Sequence, residues 1–371
     1  MNNLGFVRSS YLCFIVFLAA VPLAAQEPGE SLATRTLDIY VIDVEGGEAT
    51  LFVSHSGESL LVDTGWSGFD GRDATRIAEA ALDAGIEQID HLVLTHFHGD
   101  HMGGIAQLAE RLPIRHIVDN DVPVEVAAGA DPRPGFVAYA DVRSHGTHTI
   151  AHPGNTIEIT GIDVQIIAAG GAVLETALAG GGKSNPYCGG FVHHGPEIAS
   201  QAGYIEDSNS VGLLISYGEF RTIVMGDSNF NKEFELMCPA NILGSVDLYL
   251  VSRHGTAMSG SEALVYALEP RVAIMNNGAH KGGEARTFEI LRDSPSLEDV
   301  WQNHYSVVAG DDYNRPEQFI ANLDTGTTVR EGRSPVHMGP ASWIKVSAEV
   351  NGGFTVTNGR NGYSKRYGSQ D

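Results

Sequence analysis

The chain has 371 residues, with 23 Lys and Arg against 46 Asp and Glu, and a formal charge of −23. That imbalance argues against a protein that grips duplex nucleic acid non-specifically, because such proteins derive most of their affinity from Lys and Arg neutralising phosphates. An apolar share of 43% with 15 prolines fits a chain folded around a large core, with disorder confined to its ends.

The N-terminus reads as a removable export signal. Arg8 supplies the positive flank, Tyr11 to Val21 is an apolar run too short for a bilayer span, and Pro22-Leu23-Ala24-Ala25 offers small residues for cleavage. Residues 1–25 are expected to be lost, the alternative being an uncleaved anchor. Residues 26–36 read as a linker and 37–371 as one periplasmic or secreted domain without a stable membrane anchor. Cys13 lies within the signal, which leaves Cys188 and Cys238 either paired or free.

The mature chain opens with a strand over Leu37 to Ile42, a turn over 44–50 and a second strand to Val53. A hairpin turn at 54–58 leads to a strand over Ser59 to Val62 that ends at Asp63-Thr64-Gly65. Asp73 to Ala84 carries Ile77, Ala80, Ala81 and Ala84 at helical spacing and stops at Gly85. A buried strand over His91 to Thr95, a helix from Gly103 to Leu112 and a strand over Ile114 to Val118 continue an alternation typical of α/β layering. Residues 119–206 show strands near 156–159 and 164–168, the Gly180-Gly181-Gly182 run and His193-His194, and are expected to be loops elaborating a rim. Alternation resumes with a hairpin of Val211 to Tyr217 and Phe220 to Met225. Helix 231–237, strand 247–251, helix 261–268, strand 272–275 and helix 284–291 follow. Residues 341–371 read as a closing hairpin, 343–350 with 354–358, and a tail.

Four of the 15 histidines, His91, His96, His98 and His101, fall within eleven residues. In Thr95-His96-Phe97-His98-Gly99-Asp100-His101, three imidazoles and a carboxylate sit on one loop at a strand's carboxyl end, where α/β folds place ligands. Alternate residues of extended chain share a face, so His96 and His98 project together and Asp100 with His101 turn toward a neighbouring position. Two adjacent divalent ions with nitrogen and oxygen ligands suit that pattern.

On this HFHGDH string the chain resembles the metallo-β-lactamase superfamily, whose HxHxDH signature it carries. More narrowly it is similar to the hydrolase domain of the competence protein ComEC, through DVEGGEAT, LLVDTG, THFHGDHMGG, DSNSVGLLISYGEFRTIVMGD, DLYLVSRHG and RVAIMNNG across about residues 37–290. The resemblance implies an α/β fold, a four-layer αββα sandwich with the loop-rich elaboration. It also implies metal ligands His96, His98, Asp100, His101, Asp227 and His254, with Asp227 bridging both ions and Asp63 supporting the loop by hydrogen bonds. Many superfamily members carry a histidine about twenty residues before the bridging Asp. Here Asp207-Ser208-Asn209-Ser210 occupies that interval, so water, Asp207, Asn209 or a reaching His193 or His194 fills the gap, and the first ion is expected to be more labile. Arg253 replaces a second histidine and adds positive charge near the mouth. His280, Lys281 and His304 are further candidates.

The implied chemistry is hydrolysis. Two divalent ions, Zn2+ by ligand type with Mn2+ or Fe as alternatives, lower the pKa of bound water to give a hydroxide nucleophile. Asp100 and Asp227 orient it and accept its proton, and His280 or the backbone near Asn277 stabilises the oxyanion. The substrate is expected to be a small molecule or a phosphodiester, without non-specific duplex binding. A cyclic amide or ester such as a β-lactam or lactone is the competing substrate class, a non-catalytic metal-binding protein the third reading. Oligomeric state stays open.

Overall fold

The computed structural model describes Met1 and residues 36–327 and 334–369. The expected export signal, Met1 apart, and nearly all of the expected linker lie outside the described residues. Among the described residues no helix is long and apolar enough to cross a membrane.

Two nine-stranded sheets face each other. The first runs Ser364–Tyr367, Phe354–Asn358, Ile344–Ala348, Leu37–Val41, Thr50–Val53, Ser59–Val62, Ile89–Val93, Ile114–Asp119, Thr147–Ile150, antiparallel up to Ser59–Val62 and parallel beyond it. The second runs Ile320–Asn322, Asp299–His304, Val272–Met275, Leu248–Leu250, Phe220–Val224, Gly212–Tyr217, Ile162–Ala169, Thr156–Ile159, with Ala172–Val173 also paired to Ile162–Ala169. It is parallel as far as Phe220–Val224 and antiparallel after it. Apolar side chains of both sheets, among them Ile39, Val62, Leu213, Ile274 and Trp301, form the central core. A second core lies between the first sheet and helix Arg72–Asp83, through Ile77, Ala80 and Ala81. A third lies between the second sheet and helices Phe230–Met237, Glu262–Leu268 and Ala285–Asp293. Three apolar layers between four layers of structure are the expected αββα sandwich.

The local chemistry explains the boundaries. Gly85 adopts φ 73° just beyond helix Arg72–Asp83, a left-handed exit that costs a glycine little. Ser261 caps helix Glu262–Leu268 by accepting from the Leu264 amide at 3.3 Å.

Several expectations need correction. Residues 119–206 are not mainly loops: they include helices Val124–Ala127, Pro134–Arg143, Pro196–Ala199 and Ala202–Ser208 as well as strands. Helix Pro134–Arg143 opens on proline at its first position, a favourable start. The helix expected from Gly103 is split into Gly99–Met102 and Ile105–Ala109, so the metal loop itself is already wound. The closing hairpin gains a third strand, Ser364–Tyr367, and joins the first sheet beside Leu37–Val41. Strand Asp299–His304 escapes an apolar-run criterion because four of its six residues are polar. All six residues are nevertheless buried, several of their polar groups being met internally, as where Gln302 donates to Asn314 Oδ1 at 2.9 Å and Asn303 to the Ile42 carbonyl at 3.2 Å.

Candidate metal centre

Parallel strands deliver the chemistry at their carboxyl ends. Asp63 follows Ser59–Val62, residues 94–102 follow Ile89–Val93, Asp227 follows Phe220–Val224, His254 follows Leu248–Leu250 and Lys281 follows Val272–Met275. Asp63 is fully buried and organises the loop. Its Oδ1 accepts from the Thr95 amide at 2.7 Å, and its Oδ2 accepts from Thr95 Oγ1 and from His101 Nδ1, each at 2.7 Å. When neutral, His101 therefore keeps its proton on Nδ1 and presents Nε2 to the site. With its proton given to Asp63, Thr95 Oγ1 accepts from His96 Nδ1 at 3.1 Å, which leaves His96 Nε2 as a lone-pair donor too.

The two halves of the molecule are stitched at this loop. Val211 donates its amide to the Thr95 carbonyl at 2.8 Å and Glu48 donates its amide to the Asp100 carbonyl at 3.1 Å. Glu206 accepts from the Phe97 and Val124 amides at 2.9 and 2.8 Å, tying the rim to the loop. Gly226 is required where it stands: φ is 53°, and a Cβ would lie 2.8 Å from Thr95 Cβ. Arg253 and His254 are left-handed without being glycine, at φ 51° and 57°. Such residues cluster at functional sites because the surrounding structure must hold them.

Ligand-type atoms converge in two groups, each within 4.8 Å: His96, His98 and Asp207, and Asp100, His101, Asp227 and His254. In the first, His96 Nε2 is 2.9 Å from His98 Nδ1, and Asp207 Oδ1 is 3.5 and 3.0 Å from these nitrogens. In the second, Asp227 Oδ1 is 3.3 Å from the Nε2 atoms of both His101 and His254, while Asp100 Oδ2 is 3.4 and 3.3 Å from them. His101 Nε2, Asp207 Oδ1, Asp227 Oδ1 and both ring nitrogens of His254 are buried without a hydrogen-bond partner. Orphaned buried polar atoms are costly, and these five all belong to the two convergent sets. The donor set fits two divalent ions.

The electrostatics agree with that reading. Burial and then the neighbouring His101 hold His96 well below its ordinary pKa, so it is a neutral ligand. For His101, burial opposes charging, but Asp100, Asp227 and Asp63 outweigh it and raise the pKa well above the ordinary value. Burial likewise opposes charge on Asp100 and Asp227, yet Lys281 and His101 for the first, and His254 and His101 for the second, hold both carboxyls well below the usual range. Two cations border the groups: Arg253 contacts Asp207, and Lys281 contacts Asp100 while its Nζ lies 4.8 Å from the Trp66 ring centroid.

His96, His98, Asp100, His101, Asp227 and His254 are thus brought together, with Asp63 behind them. His280 is not: its Nε2 lies 3.0 Å from the Thr325 carbonyl, and the next residue, Lys281, enters the site instead. Of the alternatives for the gap, Asp207 occupies it, while Asn209 Oδ1 points toward Gly171. His193 packs on Phe191 and Phe234, and His194 stacks on Phe230 and bonds Tyr204 at 2.9 Å. Cys188 and Cys238 are disulfide-bonded.

A third group, Asp43, Glu45, His304 and His337, was not foreseen beyond His304. Its charge is met by the protein itself: Arg76 Nη1 lies 2.8 Å from Asp43 Oδ2, and His304 Nε2 lies 3.1 Å from both carboxylates. It is an internal ion cluster. Its signal in the sequence is the i, i+2 acidic pair at a strand end, which places both carboxylates on one side. Glu48 was missed too. Burial and then the Asp63 charge push its carboxyl up to about 7.

Two ligand groups at the carboxyl ends of an αββα sandwich, with an Asp-supported histidine loop, are the framework of a metal-dependent hydrolase. The chain belongs to the metallo-β-lactamase superfamily, whose profile matches residues 43–274. It is 24% identical over 267 residues to Recombination protein 2 of Haemophilus influenzae, covering 72% of this chain and 26% of that one. It is 26% identical over 157 residues to a UPF0173 metal-dependent hydrolase of Staphylococcus carnosus, covering 38% of this chain and 60% of the relative. The chain thus spans about a quarter and three fifths of the lengths of these curated relatives. Among solved structures, the metallo-β-lactamase fold protein YhfI of Bacillus subtilis aligns with a TM-score of 0.43 at 13% identity, over 72% of this chain and 96% of that one.

Proposed function

We propose that this protein is an exported phosphodiesterase of the superfamily, acting on a small phosphodiester. The observation that carries the reading is the pair of cations, one at each ligand group: Arg253 on Asp207 and Lys281 on Asp100. A neutral lactone has no use for both, whereas a phosphodiester brings a negative charge that they can meet once ions draw the two carboxylates away; the carboxylate of a β-lactam is the other anion that would use them, and the nitrocefin arm below tests it. The likeness to a protein named Recombination protein 2 points the same way. The export half of the proposal draws on the disulfide, a bond that persists in oxidising compartments.

Bound ions would supply a water nucleophile of lowered pKa and Lewis-acid polarisation of the phosphoryl oxygen. His96, His98, Asp207 and Asp227 would hold one ion, and Asp100, His101, His254 and Asp227 the other. Four imidazoles among these ligands favour Zn2+, while the carboxylates present at both positions also admit Mn2+ or Fe. Asp227 and Asp100, kept ionised, orient the nucleophile and receive its proton. Lys281 and Arg253 orient the anionic head.

Purified, metal-loaded protein assayed on bis(p-nitrophenyl)phosphate and on nitrocefin separates the substrate classes, with His96→Ala/His98→Ala as the control. Turnover of the phosphodiester that vanishes together with bound metal is expected. Nitrocefin turnover without phosphodiester turnover would replace the reading, and full activity in a metal-free double variant would end it.

A further inference from the structure

A cavity of about 190 Å³ opens beside the first ligand group. His98 forms part of its wall, and its deeper lining is Phe97, Met102, Pro123, Val126 and Phe136, with the Phe97 and Phe136 rings edge to face at 5.3 Å. His98 is therefore shared: one residue faces both the reacting centre and an apolar chamber. Whole drug-sized ligands fill cavities of about 300–1,000 Å³, so this volume is too small for an entire substrate. An apolar cavity of about 150 Å³ suffices for benzene, so a single ring with a short tether fits.

The mouth also selects by charge. Glu125, Asp131 and Arg133 lie there, and Arg133 is already paired with Glu125, which leaves the rim with one carboxylate in excess. A chain continuing outward with further phosphates would meet that excess without a free cation. The cavity thus accepts an uncharged group and terminates the substrate on this side.

We propose that the cavity is a substrate subsite for one uncharged, ring-sized apolar group borne next to the scissile bond, so that the substrate is a small diester with an aryl-like arm and not an internal link of a long polyanion. This rests on the phosphodiester reading above and adds to it the identity of one arm. The lining comes from the metal loop and from the rim that Glu206 ties to it, and the filling positions Val126 and Ala130 belong to the rim, so substituting them replaces no metal ligand.

The test is calorimetric binding to the metal-loaded protein of methylphosphonate against phenyl-, benzyl- and phenethylphosphonate, which share the head and vary the ring and spacer. The best ring probe should bind at least about 10-fold tighter than methylphosphonate, the ratio expected when most of a phenyl ring leaves water. Ala130→Trp, an exposed position on the lining, should cut that ratio below about 3-fold by occupying the chamber while methylphosphonate affinity stays. Val126→Trp is the second filling variant. Ring probes no tighter than methylphosphonate, or a ring advantage that survives both variants, would overturn the subsite. Acetohydroxamate and benzohydroxamate form a parallel pair with a different metal-binding head. If no phosphonate binds but these do, the phosphoryl reading fails, while their own ratio still decides the subsite.

Discussion

The ion cluster at His304 offers a test in which magnitude and sign both follow from geometry. His304 is fully buried, with Nε2 3.1 Å from Asp43 Oδ2 and from Glu45 Oε1. Burial opposes its charge, but Asp43 and then Glu45 push its pKa from 6.5 up to about 10. A shift of roughly 3.5 units at 1.36 kcal/mol each amounts to about 5 kcal/mol, close to the ~3–5 kcal/mol typical of breaking a buried ion pair. The folded pKa is the higher one, so this contribution is complete below the unfolded value of 6.5 and is lost as pH rises through about 10. His304→Leu should therefore cost ~3–5 kcal/mol at pH 6, slightly less at pH 7, and below ~1 kcal/mol relative to wild type near pH 10. Guanidinium unfolding followed by tryptophan fluorescence, with chelator present in all samples, measures the gap. Adding Glu45→Gln to the variant should recover part of the loss, because one unpaired carboxylate is removed. A cost under 1 kcal/mol, or a gap that does not narrow with rising pH, would refute the assignment of His304 as the internal cation.

Three further outcomes are expected. Asp207→Asn should reduce the metal content measured by native mass spectrometry from two ions to one, since Asp207 belongs to the group of His96 and His98 alone; simultaneous loss of both ions would show that the groups are not separable. Metal binding should release protons, because His98 and His101 both have raised pKa values, His98 through Asp207 against the effect of burial, and must deprotonate to ligate. Apparent affinity should accordingly climb with pH above 6.5, and calorimetry in buffers of different ionisation enthalpy reads the protons directly. Replacing Cys188 and Cys238 with Ser opens a loop of sequence separation 50 and should cost about 4 kcal/mol by loop entropy, checked by thermal unfolding.

The fold's repeating units were legible because apolar runs and glycine punctuation report directly on burial. The strand Val272–Met275 and the hairpin around Gly218 needed nothing beyond that. What escaped did so for physical reasons. Asp299–His304 is buried by virtue of polar partners that lie far away in sequence, Asp43 and Ile42 among them, and no local pattern carries that information. The HFHGDH loop announced itself because all its ligands are local. Asp207 was one of several residues able to fill the gap, and only the approach of helix Ala202–Ser208 to His98 selects it. His280 illustrates the converse. Its neighbourhood lines the correct face, but a one-residue difference in backbone direction sends His280 to Thr325 and Lys281 to Asp100.

The excess acidity of the chain takes on a different meaning once its carboxylates are placed. Asp43, Glu45, Asp63, Asp100, Asp207 and Asp227 are buried and either paired internally or aimed at the ligand groups. Arg72, Arg76, Arg143 and Arg253, meanwhile, are committed to Asp73, Asp43, Asp119 and Asp207. Cations are thus consumed inside the fold, and outside the site a chain of charge −23 has little with which to hold a polyanion. Repulsion between surface charges is screened over about 8–10 Å at physiological salt, so it acts on a long strand and hardly on a monoanion seated in the site. Raising salt from 50 to 200 mM should therefore leave kcat/KM for bis(p-nitrophenyl)phosphate nearly unchanged and increase it for a single-stranded oligonucleotide. Proteins that bind through basic grooves lose about 10³–10⁵ in affinity over the same interval. A steep fall of oligonucleotide turnover with salt would mean that a basic track leads to the metal centre, and the small-substrate argument would fail with it.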